Sequence, residues 1–438
     1  MGRFLSINLP QGVMQMKIKT KDLSYEKVQA LPGCGKIKPR KPNFLLSSAV
    51  RLAAIPDLLA TRFTYTTERM EETKGKPCLI LMNHSSLIDL KIVSKIFYPK
   101  PYAIVCTSDA FVGKKTLMSM VGCIPTRKFV SDFTLIEDMQ YLLKEKNTSV
   151  LMYPEASYSF DGTATALPRK MGVLLKKLGV PVVTVITEGA FAREPLYNML
   201  QKRKVKVSAH VKCLLTPKEI KEKSTKELDE LIDREFSFDN FAWQKNNGVE
   251  INEPFRADGL HRILYKCCEC GNEQKMNGKG TRLSCGNCGK EWELTPLGEL
   301  SATDGETKFS HIPDWYAWER KCVREELESG TYNLETDVVI RMMVDYKAIY
   351  NVGTGKLKHT VDGFRLTGCD GKLDYEQNPL ASYGLYSDYF WYELGDVICI
   401  GNNEVLYYCF PQDNTPVAKT RMAAEELYKI TKQRRRKK

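Results

Sequence analysis

The sequence predicts an α/β domain with flanking helices, followed by a small cysteine-rich ribbon and a β-rich C-terminal domain that ends in a helix. Apolar runs alternate with helical patterns over residues 71–245, which is typical of a layered α/β sheet. Two C-x2-C pairs lie within residues 262–296. Runs rich in β-branched and aromatic residues then precede one helical pattern in residues 297–438.

Residues 1–70 are predicted to form a basic arm with one amphipathic helix. They hold 12 Lys and Arg against four Asp and Glu, and so contribute most of the formal net charge of +12. An apolar stripe at helical spacing lies within residues 44–60, at Leu45, Ala49, Leu52, Ile55 and Leu59. This helix can pack on the protein's own core or lie on an anionic membrane, and the two can coexist. The arm lacks interleaved aromatic residues for base stacking, so nucleic acid is not expected as a partner.

No apolar stretch is long enough to cross a membrane, because Arg51, Pro56 and Asp57 interrupt the best candidate. The N-terminus also lacks the apolar core of a signal peptide. We therefore expect a cytoplasmic protein that binds peripherally to the cytosolic face of a membrane.

The α/β domain is predicted from five strand-like runs, at Cys78–Met82, Tyr102–Thr107, Ser149–Tyr153, Val180–Thr187 and Val205–Leu214. Helical patterns separate or follow them, at Leu87–Phe97, Lys115–Val121, Leu135–Glu145, Thr165–Leu178 and Thr225–Gln244. Open α/β sheets bind their ligands at strand ends, so polar residues directly after a strand are candidate site residues.

His84 and Asp89 follow the first predicted strand, in the segment His84-Ser-Ser-Leu-Ile-Asp89. On one helix the two side chains would point roughly 140° apart, so they can meet only if His84 lies in the turn before the helix. An Asp bonded to one ring nitrogen leaves the other as a proton acceptor and stabilises the imidazolium. The pair predicts a general base for a substrate hydroxyl, although the spacing alone also occurs by chance or around a structural histidine.

Three further segments follow in order: Gly122-Cys-Ile-Pro-Thr-Arg127, Tyr153-Pro-Glu-Ala-Ser-Tyr-Ser159 and Val180-Pro-Val-Val-Thr-Val185. Together with the His84 segment, they resemble the four motifs of the glycerolipid acyltransferase family, typified by 1-acylglycerol-3-phosphate acyltransferases. The family motifs read NHxxxxD, GxIxxxR or a close variant, FPEGTRS and VPxxPV. The resemblance covers about residues 76–215.

The resemblance implies catalytic roles for His84 as general base and Asp89 as the carboxylate that orients it. It places Arg127 on the phosphate of the acyl acceptor, to which a guanidinium donates two parallel hydrogen bonds. Glu155 would organise the same end of the substrate pocket. Taken without the other motifs, Arg127 can also be a surface cation, and Glu155 can cap the next helix.

The later motifs depart from the family pattern at Ala156, Ser157, Tyr158 and Thr184, where the family has Gly, Thr, Arg and Pro. Ser157 and Tyr158 remain candidate substrate-binding residues. Tyr158 removes a positive charge, so the sequence indicates the reaction type more firmly than the acceptor. The departures leave open a family member that keeps the fold and has lost activity.

Cys267 and Cys270 form one C-x2-C pair, and Cys285 and Cys288 form another, each followed by Gly. This spacing is typical of a four-thiolate zinc ribbon, in which the Zn²⁺ is structural because protein atoms fill all four positions. Glycine permits the left-handed turn after each pair. Cys268 is a competing ligand for Cys267. Disulfides are not expected in a cytosolic protein.

The C-terminal domain is predicted from strand-like runs at Val338–Val344, Tyr389–Tyr392, Val397–Ile400 and Glu404–Phe410, and from a helical pattern at about Thr415–Lys432. Strands followed by one helix suggest a small barrel or sandwich. The final Arg434-Arg-Arg-Lys-Lys438 is either a solvated tail or an added attraction to an anionic surface.

Together these features predict an acyltransferase that moves a fatty acyl group from a thioester donor, acyl-CoA or acyl carrier protein, to a glycerolipid hydroxyl. The expected acceptor resembles lysophosphatidic acid, and no catalytic cofactor is expected. The main alternative is a degenerate lipid-binding scaffold that recruits partners through the ribbon and the C-terminal domain. Nucleic-acid binding through the ribbon and the basic arm is a weaker alternative. The intact pair of His84 and Asp89 favours the enzyme, because a scaffold needs neither.

Overall fold

The computed structural model describes residues 17–128, 133–165, 167, 170–413 and 415–437. The first 16 residues of the predicted basic arm lie outside this part. Three sheets lie along the described chain: a mostly parallel sheet, a small antiparallel ribbon and a large C-terminal sheet. The predicted order of an α/β domain, a ribbon and a β-rich domain with a final helix is confirmed.

The described part of the N-terminal arm contains β1 (Thr20–Asp22), α1 (Tyr25–Gln29) and α2 (Phe44–Ala60). The helix predicted in residues 44–60 is α2. β1 pairs in parallel with a strand of the C-terminal sheet, with Thr20 opposite Ile349. The beginning of the described chain is therefore tied to the C-terminal domain.

The α/β domain contains the strands β2 (Thr64–Glu68), β3 (Leu79–Met82), β4 (Tyr102–Thr107), β5 (Cys123–Thr126), β6 (Ser149–Met152), β7 (Val182–Glu188) and β8 (Ser208–Leu215). Its helices are α3 (Asp89–Phe97), α4 (Lys115–Met120), α5 (Phe133–Gln140), α6 (Met171–Leu178), α7 (Ala190–Arg193), α8 (Pro217–Glu222), α9 (Thr225–Glu235) and α10 (Asn240–Asn246). The strand order is β2-β8-β7-β3-β6-β4-β5, and the strands pair in parallel except where β8 runs antiparallel to β7.

Helices cover both faces of this sheet, and β3 lies at its centre. Leu79 and Leu81 contact one apolar cluster, which includes residues of α6 and α9. Ile80 and Met82 face the opposite cluster, which includes residues of α2 and α3. A strand buried on both faces is apolar throughout, which explains why the sequence reveals β3 as a continuous run.

The sheet departs from the prediction at its edges. β2 precedes the predicted domain boundary at residue 71 but pairs with β8, and its largely exposed Thr and Tyr side chains form no apolar run. β5 is an edge strand that contains Pro125, a residue that weakens any strand pattern. The single helix predicted at residues 225–244 is two helices, because the Asp239 side chain caps α10 by accepting from the Ala242 N–H at 2.9 Å.

The ribbon contains β9 (Met276–Lys279), β10 (Arg282–Cys285), β11 (Glu291–Leu294) and β12 (Leu300–Ala302) as an antiparallel sheet. The C-terminal domain contains α11 (Ile312–Ser329), β13 (Leu334–Met343), β14 (Ile349–Thr360), β15 (Gly363–Gly368), β16 (Leu373–Gln377), β17 (Tyr386–Asp388), β18 (Val397–Gly401), β19 (Leu406–Pro411) and α12 (Val417–Lys437). Its strand order is β16-β15-β14-β13-β19-β18-β17, and β1 pairs with β14 outside this path.

The C-terminal prediction missed one helix and misassigned one strand. The strands form one path of antiparallel neighbours, and a second helix, α11, packs against α12 through the Arg320–Glu425 ion pair at 2.7 Å. The strand predicted at residues 389–392 is interrupted by left-handed backbone at Phe390 and Tyr392. The aromatic residues of this run favoured a strand, but the backbone forms a turn there.

Candidate active site

His84 and Asp89 meet at the end of β3, with His84 in the turn and Asp89 as the first residue of α3. The His84 Nδ1 lies 3.0 Å from the Asp89 Oδ2. The same oxygen accepts hydrogen bonds from the backbone N–H groups of Ser85 at 2.9 Å and Ser86 at 3.1 Å. Asp89 is fully buried, so one carboxylate shapes the turn and orients the imidazole. The geometry predicted for the pair is the one observed.

Asn83 anchors this turn to the neighbouring strand β7. Its Oδ1 accepts from the Thr187 N–H at 2.8 Å and from the Thr187 hydroxyl at 3.0 Å, while its Nδ2 donates to the Thr187 carbonyl at 3.2 Å. The buried amide therefore holds the ends of β3 and β7 together, which fixes the backbone just before His84.

The segment 155–159 holds the backbone of His84 from the other side. Glu155 Oε2 accepts from the His84 N–H at 3.1 Å, and the Ser159 N–H donates to the His84 carbonyl at 3.2 Å. Glu155 Oε1 accepts from the Thr165 N–H at 2.9 Å. The structure therefore brings Glu155 to the backbone of His84, where its buried carboxylate supports the position of the imidazole.

The imidazole of His84 lies between two tyrosine rings. Its centroid is 4.0 Å from that of Tyr153 and 3.9 Å from that of Tyr158, with interplanar angles of 24° and 25°. Two rings cannot share one face at such distances, so they cover opposite faces of the imidazole. This contact shows what Tyr158 does at the position where the related motif has Arg: it packs on the imidazole of His84.

Burial lowers the pKa of His84, against the opposite effect of Asp89, and Lys128 lowers it further. The imidazole is therefore neutral at pH 7, which is the form that a general base needs. Burial also raises the pKa of Glu155 to about 7, against the hydrogen bonds from Thr165 and His84. Among the described residues, no hydrogen bond engages His84 Nε2, so this nitrogen is available to a substrate hydroxyl.

The other candidate substrate residues contact the C-terminal domain. Arg127 donates from Nη1 to the Asn402 carbonyl and from Nη2 to the Glu404 carbonyl, the latter at 3.1 Å. Ser157 is buried, and its Oγ accepts from Arg421 Nη2 at 2.8 Å. The role of Arg127 at an acceptor phosphate stays a prediction, because in this arrangement its guanidinium bonds to the loop between β18 and β19.

A buried cluster joins the α/β domain to the C-terminal sheet beside this site. Tyr386 donates to Asp109 Oδ2 at 2.5 Å, and Trp391 donates from Nε1 to the Tyr386 oxygen at 3.0 Å. Lys128 Nζ lies 4.3 Å from the centroid of the Tyr386 ring. Sequence reasoning missed Lys128, Asp109 and Arg421, because no local motif connects them to His84.

The four predicted metal ligands, Cys267, Cys270, Cys285 and Cys288, lie together with their Sγ atoms within 4.8 Å of one another. The Sγ atoms of Cys267 and Cys288 are 3.7 Å apart, and so are those of Cys270 and Cys285. A tetrahedral zinc site with Zn–S bonds of about 2.3 Å has S···S edges of about 3.8 Å, so the four thiols fit this ion. Cys268 Sγ donates to the Glu269 carboxylate at 3.8 Å and is not part of the cluster.

The turns after the two cysteine pairs are left-handed, as predicted, with φ of 71° at Gly271 and 76° at Gly289. The ribbon is also joined to α11. The rings of Trp292 and Trp315 meet edge to face at 5.0 Å, and Trp315 Nε1 donates to the Lys266 carbonyl at 3.0 Å. The four-cysteine cluster therefore lies on the same apolar core as the helices of the C-terminal domain.

The first domain is similar to known proteins. Residues 62–188 match the model of the family described as Acyltransferase. Among solved structures, the chain is similar to the 1-acyl-sn-glycerophosphate (LPA) acyltransferase PlsC from Thermotoga maritima, with 16% identity and a TM-score of 0.33, over 44% of this chain and 78% of that chain. No curated protein gives a significant match. Residues 62–188, which carry His84, Asp89 and Glu155, are therefore an Acyltransferase-family domain.

Proposed function

We propose that this protein transfers a fatty acyl group from a thioester donor to the hydroxyl of a glycerolipid that resembles lysophosphatidic acid. The observation that carries the proposal is the bond between His84 and the buried Asp89 at a strand end of an Acyltransferase-family domain. The glycerolipid acceptor is supported by the four motifs, and the donor is either acyl-CoA or acyl carrier protein. The site is on the cytosolic face of a membrane in this proposal.

In the proposed reaction, His84 Nε2 takes the proton of the acceptor hydroxyl while Asp89 holds the opposite nitrogen. The oxygen attacks the thioester carbonyl carbon and forms a tetrahedral oxyanion. Collapse of this oxyanion breaks the C–S bond, and the departing thiolate receives the proton from the imidazolium. The acyl group moves directly from sulfur to oxygen, so the protein carries no covalent intermediate.

The membrane association that we propose is supported by an exposed apolar surface on α2, α3 and α4. The predicted stripe of α2 faces outward, with exposed fractions of 76% at Leu45, 66% at Leu52 and 72% at Leu59. Leu90 of α3 and Leu117 of α4 are also exposed. No described helix combines the length and apolar content needed to cross a membrane. A surface of this kind fits a helix that lies in the lipid interface.

Vesicle flotation tests the membrane proposal. Replacing Leu52 and Leu59 by Asp should abolish flotation with vesicles of phosphatidylglycerol and phosphatidylcholine, because each charge must enter the apolar interface. The matched control is Val361→Asp, which alters an exposed apolar side chain of the C-terminal domain. Equal flotation of all variants would contradict the assignment of this surface.

We also propose that the four-cysteine cluster holds one structural Zn²⁺. The support is the S···S separation of 3.7 Å in two pairs and the complete set of four protein ligands. The ion would contribute folding free energy to the ribbon. Catalysis in the proposed reaction needs no cofactor.

An assay with purified protein tests the acyl transfer. Lysophosphatidic acid, other lysophospholipids and monoacylglycerol are offered with acyl-CoA or acyl carrier protein, and products are identified by mass spectrometry. The expected result is a diacyl product from a phosphate-bearing acceptor that disappears in His84→Ala. Lack of product with every combination would overturn the proposal and favour the lipid-binding scaffold.

A further inference from the structure

Arg421 of α12 reaches the third acyltransferase motif from the far end of the chain. Its Nη2 donates to Ser157 Oγ at 2.8 Å across a separation of 264 residues. Both residues are buried, with 3% of Arg421 and 2% of Ser157 exposed. Ser157 precedes Tyr158, which stands where the related motif carries Arg. A cation from another domain is thus present beside the position that lost one.

The hydrogen bonds of Arg421 are incomplete. Its Nε donates to Glu425 at 3.1 Å, and the centroid of the Phe160 ring lies 4.3 Å from the guanidinium carbon. Its Nη1 is buried and has no hydrogen-bond partner in the described part of the protein. Glu425 also accepts from Arg320 at 2.7 Å, so its charge is shared between two guanidinium groups. A buried, unpartnered guanidinium N–H is unfavourable until an acceptor reaches it.

A second cation connects Arg421 to the reaction centre. Lys128 interacts electrostatically with Arg421 and with His84. Arg421 also interacts with Glu155, which accepts from the backbone N–H of His84. The two cations and the general base therefore belong to one electrostatic neighbourhood, although they come from different parts of the chain.

The space next to Arg421 is large enough for a polar head group. A cavity of about 480 Å³ lies between residues 160–165 and the helices α11 and α12, and Arg421 forms part of its wall. Two of the acidic side chains in this wall already have partners: Glu425 accepts from both arginines, and Asp161 accepts from the Thr163 hydroxyl at 3.0 Å. These two acids are thus engaged by protein groups.

We propose that Arg421 binds the anionic head group of the acyl acceptor and supplies, from the C-terminal helix, the cation that Tyr158 removes from the third motif. This inference rests on the proposed acyl transfer and assigns part of its substrate specificity to the C-terminal domain. The planar fork of the guanidinium suits a phosphate group. Coenzyme A, a possible donor, also carries phosphates. We assign Arg421 to the acceptor because it contacts the motif assigned to the acceptor.

The kinetic test uses full-length Arg421→Gln, with Arg324→Gln as the matched control. Arg324 also joins α11 to α12, through Glu426 at 3.0 Å. Arg421→Gln should raise the KM for lysophosphatidic acid about 10- to 100-fold, as expected for a lost charge-assisted bond, and leave the KM for the donor and for monoacylglycerol nearly unchanged. Equal losses with both acceptors, a rise in the donor KM, or the same effect in Arg324→Gln would overturn the proposal.

Moving the positive charge from residue 421 to residue 158 gives a second test. In the Arg421→Gln background, Tyr158→Arg should lower the KM for lysophosphatidic acid again, because the cation returns from the neighbouring position. Arg421→Lys should lie between parent and Arg421→Gln, since the charge stays and the fork is lost. Failure of Tyr158→Arg and of Arg421→Lys to recover any affinity would contradict a role in anion binding.

Ligand binding separates this inference from the acyl transfer itself. Glycerol 3-phosphate at millimolar concentration should raise the melting temperature of the parent and of Arg324→Gln, but not of Arg421→Gln, and glycerol should have no effect. If the parent is stabilised in this way but transfers no acyl group, the anion site stands and the proposed acyl transfer is refuted. If the parent transfers acyl groups and glycerol 3-phosphate stabilises Arg421→Gln as much as the parent, only the anion site is refuted.

Discussion

The ribbon and the active site are assembled in opposite ways. The ribbon takes its four ligands from Cys267 to Cys288, a short stretch in which two hairpin-like turns bring the thiols together. The active site combines His84 and Asp89 with Glu155 and with side chains of the C-terminal domain, among them Arg421. A site closed by local turns can therefore be derived from spacing alone, whereas a site completed by another domain cannot.

The two regions should also respond differently to damage. In the proposed assignment, a ribbon of this size gains its folding free energy from the metal, and its Trp292 packs on Trp315 of α11. The acyltransferase sheet has two apolar clusters of its own, one on each face. Loss of the metal should therefore loosen the ribbon and α11 while the sheet persists.

The largest effect is expected from Cys285→Ser, which removes one of the four thiolates. Structural zinc sites contribute about 10–16 kcal/mol of apparent binding free energy in small domains, so the ribbon should lose its fold. Elemental analysis should show one zinc per chain in the parent and none in the variant. Hydrogen exchange should increase in β9–β12 and α11 and stay slow in β3, β6 and β7.

Cys268→Ser is the control for this prediction, because Cys268 lies next to Cys267 but outside the cluster. It should keep one zinc per chain and parental exchange. Zinc loss in Cys268→Ser, or fast exchange in β3 after Cys285→Ser, would show that the two regions are not independent.

The next largest effect is expected from the general base. His84→Ala should reduce kcat roughly 10²–10⁴-fold, because among the described residues no other side chain hydrogen-bonds to Asp89. Asp89→Asn should be similarly impaired, since an amide that donates to Nδ1 leaves the proton on Nε2. Steady-state kinetics and circular dichroism together separate lost chemistry from lost fold.

Ser94→Ala is the matched control on the same helix, because Ser94 is buried in α3 and its hydroxyl donates to the Lys91 carbonyl at 2.7 Å, within the helix. Activity of Ser94→Ala near the parental level with His84→Ala inactive would support the assignment. Parental rates in Asp89→Asn would contradict the pairing of His84 with Asp89.

The sequence predicted the central strands of the fold and the site residues that lie within the sequence motifs. β3, β4, β6 and β7 appear as apolar runs because they are buried between helices. The edge strand β2 and the helix α11 lack such a run, since β2 is largely exposed and α11 mixes aromatic and charged residues along its length. Glu155 and Ser157 were recognised from their motif, but their contacts with His84 and Arg421 depend on tertiary packing.

A smaller effect that still distinguishes the regions concerns Glu155 and pH. Its pKa of about 7, raised by burial, means that the carboxylate loses its charge as the pH falls through 7, while the lowered pKa of His84 keeps the base neutral to below pH 6.5. The value of kcat/KM should therefore fall below about pH 7 because Glu155 becomes protonated. Glu155→Gln should lower the plateau and move the midpoint below 6.5. An unchanged midpoint would assign the pH dependence to another group.

The smallest effect is expected at Ala156, the residue that stands where the related motif has Gly. Its φ of 56° lies in the left-handed region, which costs an L-residue about 1 kcal/mol or more. Ala156→Gly should therefore raise the free energy of unfolding by about 0.5–1 kcal/mol, measured by urea denaturation of the full chain. Ala164→Gly is the control, because Ala164 lies in the same loop without a left-handed backbone, and it should lower the stability by a similar amount. If both substitutions lower the free energy of unfolding, alanine at residue 156 costs the fold no stability relative to the glycine of the family pattern.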